Sequence, residues 1–466
     1  MTDTKQFLDE QDLQGILADI EREPGASARL PQIIGNASGA KVLQEYLLAQ
    51  TLRYVKHQSR YYGRLISHDT NRQRVPLSEL RNLPMINKQI LLSNYKRILS
   101  TERYPALMGH TSGTTGSPLE VPIFFKEARV RALLATISTL VNHPDVKKMT
   151  VLSLIDFYHG SGVGYPLSTP VAYKAILFEV FQGEYGEGSR YLRGKLHRIE
   201  DILFGESQIT DSFGRPTVLS TNPKEFVMLT RMLSKAGHEL KSAGIRVVST
   251  RGDYVSPHVR RIAHDFWGAE LIDTYGSAEL CGGASQCEHG SYHFDLTEIP
   301  EIFFGKENQV HDPANVGEIV ITPLHPFQQA LPLLRYMTGD LAKFTESCSC
   351  GRREVAISQF WGRRDSCLTI TVGGHRSVLL SPFTLSDRLQ DTNACSTTSR
   401  GVEECYPRFA WRMKRNGEKQ TIIVVVKIRR GIGSHNSLVT RAVGEAIQGM
   451  LSPYSMDSTK DRKSVV

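Results

Sequence analysis

Long apolar runs are missing from this chain of 466 residues. A membrane helix needs roughly 20 consecutive apolar residues. The longest run here, Ile422-Ile423-Val424-Val425-Val426, has the length of a buried strand, so no membrane partner is expected. The opening Met1-Thr2-Asp3-Thr4-Lys5 lacks the charged-then-apolar profile of a signal peptide, which predicts a cytoplasmic protein. No internal repeat is visible. The pattern G-x-x-x-x-G-K-[ST] is absent, which excludes the P-loop of the nucleotide hydrolases. The seven cysteines are an odd number, and Cys348-Ser349-Cys350 is a spacing poorly suited to a mutual disulfide, so metal or buried thiols are expected instead of bridges. The net charge is +8, and residues 401–466 hold 12 Lys/Arg against 6 Asp/Glu. No recognised nucleic-acid motif accompanies that excess, so no nucleic-acid partner is expected.

The most informative stretch is His110-Thr111-Ser112-Gly113-Thr114-Thr115-Gly116-Ser117-Pro118. Its glycines let the backbone turn tightly and bring amide N–H groups close to an anion, and the hydroxyls add donors around them. That is the composition of a phosphate-holding loop or of a plain surface turn. Around it the chain alternates. Residues 5–68 read as helical, with a second periodic stretch from Val42. Strands are predicted at 121–123, 150–155, 217–220, 246–250 and 270–274, with helices over 128–141, 223–237 and 257–267 between them. Strand, Gly-rich turn, helix and strand in succession argue for a parallel sheet covered on both faces. From about Phe294 strands dominate, including 301–304, 317–321 and 331–336. The end of the chain reads as a small α+β unit, with a strand over 421–428 and a helix over 438–450.

The run Thr111–Pro118 resembles the nucleotide loop of the adenylate-forming superfamily. Further matches follow in the family's order. Tyr275-Gly276-Ser277-Ala278-Glu279 is similar to its Y-G-x-x-E segment, Arg335-Tyr336-Met337-Thr338-Gly339-Asp340 to R-Y-x-T-G-D, and Gly362-Arg363-Arg364-Asp365 to the G-R-x-D hinge. Ser59-Arg60-Tyr61-Tyr62 and the passage Leu77–Lys88 resemble the N-terminal region of the phenylacetate–CoA ligase-like branch. Leu119 stands where the wider family often has Lys, a departure shared within that branch. The resemblance implies an α/β fold: a large N-terminal domain (1–361) of mainly parallel sheets flanked by helices, with a small β-barrel-like part. A small mobile α+β C-terminal domain (362–466) would follow the hinge at Asp365.

The implied activity is the ATP-dependent activation of a carboxylic acid, aryl or arylacetic, to an acyl-adenylate, followed by transfer to an acceptor. CoA is the expected acceptor; a carrier-protein thiol or an amine is the alternative. A basic C-terminal domain closing on ATP, pyrophosphate and CoA, all polyanions, accounts for the charge. Ser112, Gly113, Thr114, Thr115 and Gly116 would grip the phosphates. Gly252 and Tyr275 would flank the adenine, Asp340 would hold the ribose hydroxyls, and Asp253, Gly276, Ser277 and Arg363 belong to the nucleotide set. Glu279 would be a Mg²⁺ ligand. Lys460, in Ser458-Thr459-Lys460-Asp461-Arg462, is the candidate adenylation lysine, with Lys463 in reserve, and its charge would stabilise the developing α-phosphoryl charge. Phe157, Tyr158, His159 and Gly160 follow a strand where the acyl pocket would lie.

Cys287, His293, Cys348 and Cys350 are a donor set for tetrahedral Zn²⁺, with His289 competing for the imidazole place. The branch resemblance favours the first four and a structural role, leaving Cys281, Cys367, Cys395 and Cys405 as free thiols. A monomer or homodimer is expected. Two rivals from other classes are a non-catalytic nucleotide-binding descendant of the fold and a zinc-dependent nucleic-acid binder.

Overall fold

The structure, a computed structural model, describes residues 37–66, 72–111, 118–142, 149–155, 174–179, 190–205, 207–305, 315–352, 355–372, 375–390, 409–416, 419–426, 441 and 444–445. The α/β expectation holds. The centre is one eleven-stranded mixed sheet. Its parallel half comprises β3 (Thr150–Ile155), β4 (Lys174–Glu179), β5 (Val218–Thr221), β6 (Val247–Arg251) and β7 (Glu270–Tyr275), in the order β7-β6-β5-β3-β4. At β7 the pairing turns antiparallel and continues through β8 (Ala284–Gln286), β9 (Tyr292–Phe294), β13 (Ala356–Arg363), β12 (Tyr336–Thr345), β11 (Gly317–Pro323) and β10 (Glu298–Phe303). The strand-rich stretch after Phe294 thus extends the same sheet. A separate hairpin, β1 (Ala106–His110) and β2 (Glu120–Phe124), pairs His110 with Glu120.

Local signals start the helices. Asn222 caps α6 (Pro223–Lys235) in a capping box with Glu225, and Pro223 occupies the first turn, where its missing N–H costs nothing. Ser256 caps α7 (Pro257–Ile262), which widens into a π-turn over Ala263–Trp267. Asn87 caps α2 (Lys88–Ile98). The helices α1 (Ala37–Gln58), α3 (Phe125–Asn142), α4 (Arg190–Leu203) and α5 (Gln208–Phe213) complete the body. One apolar cluster, with Trp267, Phe226, Leu152, Leu219 and Val248, fills the helix-covered face of the parallel half. A second joins α1 and α2 to the antiparallel half through Leu48, Val55, Leu91, Ile319 and Tyr336. Among the described residues no helix is long and apolar enough to cross a membrane.

One expected strand is corrected. Leu331–Arg335 is buried but unpaired, and β12 begins only at Tyr336. Arg335 sits at φ 46°, its N–H bonded to the Thr322 hydroxyl, while the Leu334 N–H donates to Tyr62 Oη. Side chains satisfy the backbone there, so an apolar run packs without joining a ladder.

Past the hinge, β14 (Leu368–Val372) and β15 (His375–Leu380) form a hairpin, and α8 (Pro382–Gln390) returns to the body. The Phe383 ring stacks on Tyr254 with centroids 4.0 Å apart, and Tyr254 Oη donates to Asp387 at 2.6 Å. Strands β16 (Phe409–Asn416) and β17 (Lys419–Val426) pair with each other. The expected strand at 421–428 is found as β17. The predicted helix over 438–450 and the residues before Ala37 fall mostly or wholly outside the described residues.

Glu298 opens β10 fully buried. Burial, reinforced by Asp295, pushes its carboxyl from 4.5 up to about 8. Between those values the unfolded chain is ionised at Glu298 and the folded chain is not. Native stability therefore falls as pH rises through that window, by up to about 1.4 kcal/mol per pH unit. Urea unfolding at pH 5 and pH 8 should show a steeper loss in the wild type than in Glu298→Gln.

Candidate active site

The carboxyl end of β7 is where the two halves of the sheet meet, and open α/β sheets bind ligands at such ends. Tyr275 closes β7, and its hydroxyl donates to Asp340 Oδ2 at 3.1 Å. Asp340 lies on β12 directly opposite Arg363 of β13, and Arg363 Nε is 3.5 Å from Asp340 Oδ1. Arg363 Nη1 also donates to the Thr338 carbonyl. Gly339, at φ 82°, makes the turn in the strand that brings these groups together. Burial pushes the Asp340 carboxyl above its ordinary range, while the Arg363 guanidinium and the Tyr275 hydroxyl pull it back. Burial likewise raises the Tyr275 phenol, so it stays a donor.

Four residues on, Glu279 is buried. Its carboxylate accepts from the Ser277 hydroxyl and from Tyr336 Oη at 3.3 Å. Lys88 Nζ stands 3.7 Å from Glu279 Oε1 and 3.4 Å from Thr111 Oγ1. The sequence reading gave Lys88 no role. Its placement follows from Ile86, whose N–H donates to the Arg335 carbonyl and whose carbonyl accepts from Met337 N–H, pinning the start of α2 to β12. A signal was nevertheless available. Asn87 is a helix cap, and a cation at the first helical position opposes the helix dipole, which calls for another reason to be there.

The phosphate-loop residues Ser112, Gly113, Thr114, Thr115 and Gly116 lie outside the described residues. The base of that loop does not. Thr111 N–H donates to the Leu119 carbonyl, and Leu119 N–H donates to Thr111 Oγ1. Thr111, beside Lys88, therefore marks where the loop leaves the hairpin. Gly252 and Asp253 follow β6, whose last residue pairs with Thr274, so they stand next to Tyr275 and Gly276. Asp253 is ion-paired with Lys224. Asp365, by contrast, is exposed and paired only with its neighbour Arg364, which is anchored to Glu318 at 2.7 Å. Phe157, Tyr158, His159, Gly160, Lys460 and Lys463 lie outside the described residues.

A second cluster forms at the far ends of the antiparallel strands. The donor atoms of Cys287, His293, Cys348 and Cys350 all lie within 4.8 Å of one another. Cys287 Sγ is 3.7 Å from Cys348 Sγ, and Cys350 Sγ is 3.3 Å from His293 Nε2. Two tight turns present the thiols: Gly290 N–H donates to the Cys287 carbonyl, and Gly351 N–H to that of Cys348. The Cys350 amide pulls the Cys348 thiol down to about 6, into thiolate form near neutral pH. His289, the competing imidazole, is not in the cluster and points toward Glu288. Cys281 and Cys367 are free, each pushed by burial up to about 12, and Cys395 and Cys405 lie outside the described residues.

No protein-family model matches the chain. In sequence it is similar to the phenylacetate–coenzyme A ligase of Thermus thermophilus, 25% identical over 341 residues, covering 71% of this chain and 72% of that one. In structure it is similar to 2-hydroxyisobutyryl-CoA ligase in its postadenylation state with R3-HIB-AMP, with a TM-score of 0.66 and 15% identity over 91% of this chain and 86% of that one. An open conformation of that ligase with 2-HIB-AMP and CoA gives a TM-score of 0.64 at 15% identity over 91% and 93% of the two chains. The chain has the adenylate-forming ligase fold. Its resemblance to the phenylacetate–CoA ligase-like branch stands on the sequence match as well as on the motifs.

Arg363→Met removes the cation that opposes burial at Asp340. Because the Arg363 side chain is 54% exposed, the expected loss is about 1–2 kcal/mol, below that of a fully buried pair. Urea unfolding should show that loss, and a double variant with Asp340→Asn should recover part of it.

Proposed function

We propose that this protein uses ATP to convert a carboxylic acid to an acyl-adenylate and then passes the acyl group to the thiol of CoA. The observation that carries the reading is the convergence of Tyr275, Asp340, Arg363, Glu279 and Lys88 at the carboxyl end of β7, beside the Thr111 and Leu119 base of the loop. The relative named as a phenylacetate–coenzyme A ligase and the structural neighbour described with acyl-AMP and CoA support it.

The roles follow from the chemistry of each group. Asp340, held by Tyr275 and Arg363, offers carboxylate oxygens to the two ribose hydroxyls. Gly252 and the Tyr275-Gly276-Ser277 turn flank the base. Glu279 is the carboxylate that would hold Mg²⁺ together with phosphate oxygens, and the ion would supply charge neutralisation there. Lys88, beside Thr111 at the base of the loop, would add a point charge for the leaving pyrophosphate. Lys460 is the proposed lysine at the α-phosphoryl group. Asp365 is the proposed pivot between residues 1–361 and 362–466, and the acyl group would lie against Phe157–Gly160. A carrier-protein thiol or an amine is the alternative acceptor.

The Cys/His cluster fits a structural Zn²⁺. Zn–S bonds of about 2.3 Å place tetrahedral sulfurs about 3.8 Å apart, and the Cys287–Cys348 separation is 3.7 Å. Three thiolates and one imidazole would fill the coordination sphere and tie the β8–β9 turn to the β12–β13 connection.

Pyrophosphate–ATP exchange without acceptor, over a panel of aryl, arylacetic, fatty and amino acids, tests adenylation. Exchange with one acid class is expected, and its absence with every acid in folded, ATP-binding protein would sink the reading. Lys88→Met should lower kcat/KM for exchange about 10–100-fold, with the loss growing at low ATP, as for removal of one electrostatic stabiliser. Metal analysis should find one zinc per chain, and Cys350→Ser should lose it together with several degrees of thermal stability.

A further inference from the structure

Every residue of β11 is buried, and one of them is Glu318. A carboxylate inside a fully buried strand is uncommon unless it is paired, so its partners indicate what it is for. They lie around a break in the sheet. Along β11 and β12, Glu318 pairs with Leu341 and Val320 with Met337, which leaves Thr338, Gly339 and Asp340 opposite Ile319 alone. Such a bulge re-aims the side chains it carries and takes ladder partners away from its backbone groups.

Buried N–H groups outside a ladder need other acceptors, and side chains supply them here. The Thr338 hydroxyl donates to the Ile319 carbonyl at 3.0 Å and accepts from the Asp340 N–H at 3.2 Å. Gly339 N–H donates to Glu318 Oε1 at 3.1 Å. The other carboxyl oxygen, Glu318 Oε2, accepts from Arg364 Nη1 at 2.7 Å. Burial pushes the Glu318 carboxyl above its ordinary range, and Arg364 and the Gly339 amide pull it back. Consecutive arginines therefore grip one bulge through different partners. Arg363 takes the Asp340 carboxylate and the Thr338 carbonyl, while Arg364 takes the carboxylate that holds the Gly339 amide.

We propose that Glu318 is a positioning residue of the nucleotide site: it sets the bulge that aims Asp340 at the ribose, and through Arg364 it ties that aim to the segment entering Asp365. The proposal rests on the reading of Asp340 as the ribose acceptor. Glu318 acts only through its neighbours. The turn at Gly339, with φ 82°, presents its amide to Glu318. Without that acceptor a buried N–H is left unpaired, a cost the chain relieves by moving the bulge. Asp340 is the next residue and moves with it. A misplacement of about 1 Å costs about 100-fold where a substrate must be held in one geometry. Arg364 enters the same chain of contacts from the hinge side, because it is the cation that steadies the Glu318 carboxylate.

The test compares ATP with 2′-deoxyATP and 3′-deoxyATP in pyrophosphate exchange, at a saturating concentration of an acid that supports it. The ratio of kcat/KM for ATP to that for each deoxy analogue measures the grip on the ribose. A variant that is merely less stable lowers all three activities together and leaves the ratio alone. Wild type should prefer ATP to both analogues. Glu318→Ala should cut that preference about 10-fold, chiefly through KM for ATP. Glu318→Gln, whose amide oxygen still accepts from Gly339, should fall between the two. Arg364→Met, at a side chain 44% exposed, probes the same link without opening the core and should also lower the preference. Adding it to Glu318→Ala should change nothing further, since both act through one carboxylate. A wild-type preference left unmoved by Arg364→Met and by the Glu318 variants that fold overturns this proposal, while adenylation and the Asp340 assignment stand. Equal use of ATP and both analogues by wild type overturns the Asp340 assignment together with this proposal. No exchange with any acid overturns the adenylation reading as well.

Discussion

The burial of Asp340 is the constraint on which the site depends. A carboxylate taken out of water must be met by donors or cations, and two strands flanking the Gly339 turn contribute them: Tyr275 from β7 and Arg363 from β13. Meeting that demand fixes the junction between the parallel and antiparallel halves of the sheet. Glu279 imposes the same demand a few residues on, answered by Ser277, Tyr336 and Lys88. The carboxyl end of β7 is thus ringed by buried charges whose partners come from both halves. The arrangement holds its groups in place before any ligand arrives.

Away from that edge the same logic recurs with different chemistry. The cysteine–histidine cluster joins two turns of the antiparallel half. The stacked rings of Tyr254 and Phe383, with the Tyr254–Asp387 hydrogen bond, join the segment after the hinge to the loop that follows Gly252. The segment after the hinge and the loop after β6 are therefore neighbours.

Much of this was legible in the amino-acid order. The alternation of 150–155, 217–220, 246–250 and 270–274 with helices gave the parallel half, because buried strands and capped helices carry strong local signals. Tyr275, Glu279, Asp340 and Arg363 could be picked out through short motifs, and the structure brings them together. Leu331–Arg335 reads as a strand because burial and pairing look alike in an apolar run, and only the side-chain partners Tyr62 and Thr322 distinguish them. The continuity of the sheet was not legible, since strand order is set by pairings between distant residues. Lys88 escaped notice for a similar reason. Its meaning comes from Glu279 and Thr111, which no local pattern connects to it, although its place after the Asn87 cap was a usable hint.

The residues that meet at the site come from positions 88, 111, 275, 279, 340 and 363, so nearly 300 residues of chain separate the first from the last. Contacts of such long range are slow to form, because loop closure must be completed before they contribute. The parallel half can pack around Trp267 using neighbours in sequence. The Tyr275–Asp340–Arg363 set cannot form until β12 and β13 have been laid beside β9 and the N-terminal segment carrying Ile86 has returned to β12. A chain interrupted before β13 therefore keeps the smaller apolar cluster, that of the parallel half, and lacks the cation that Asp340 needs.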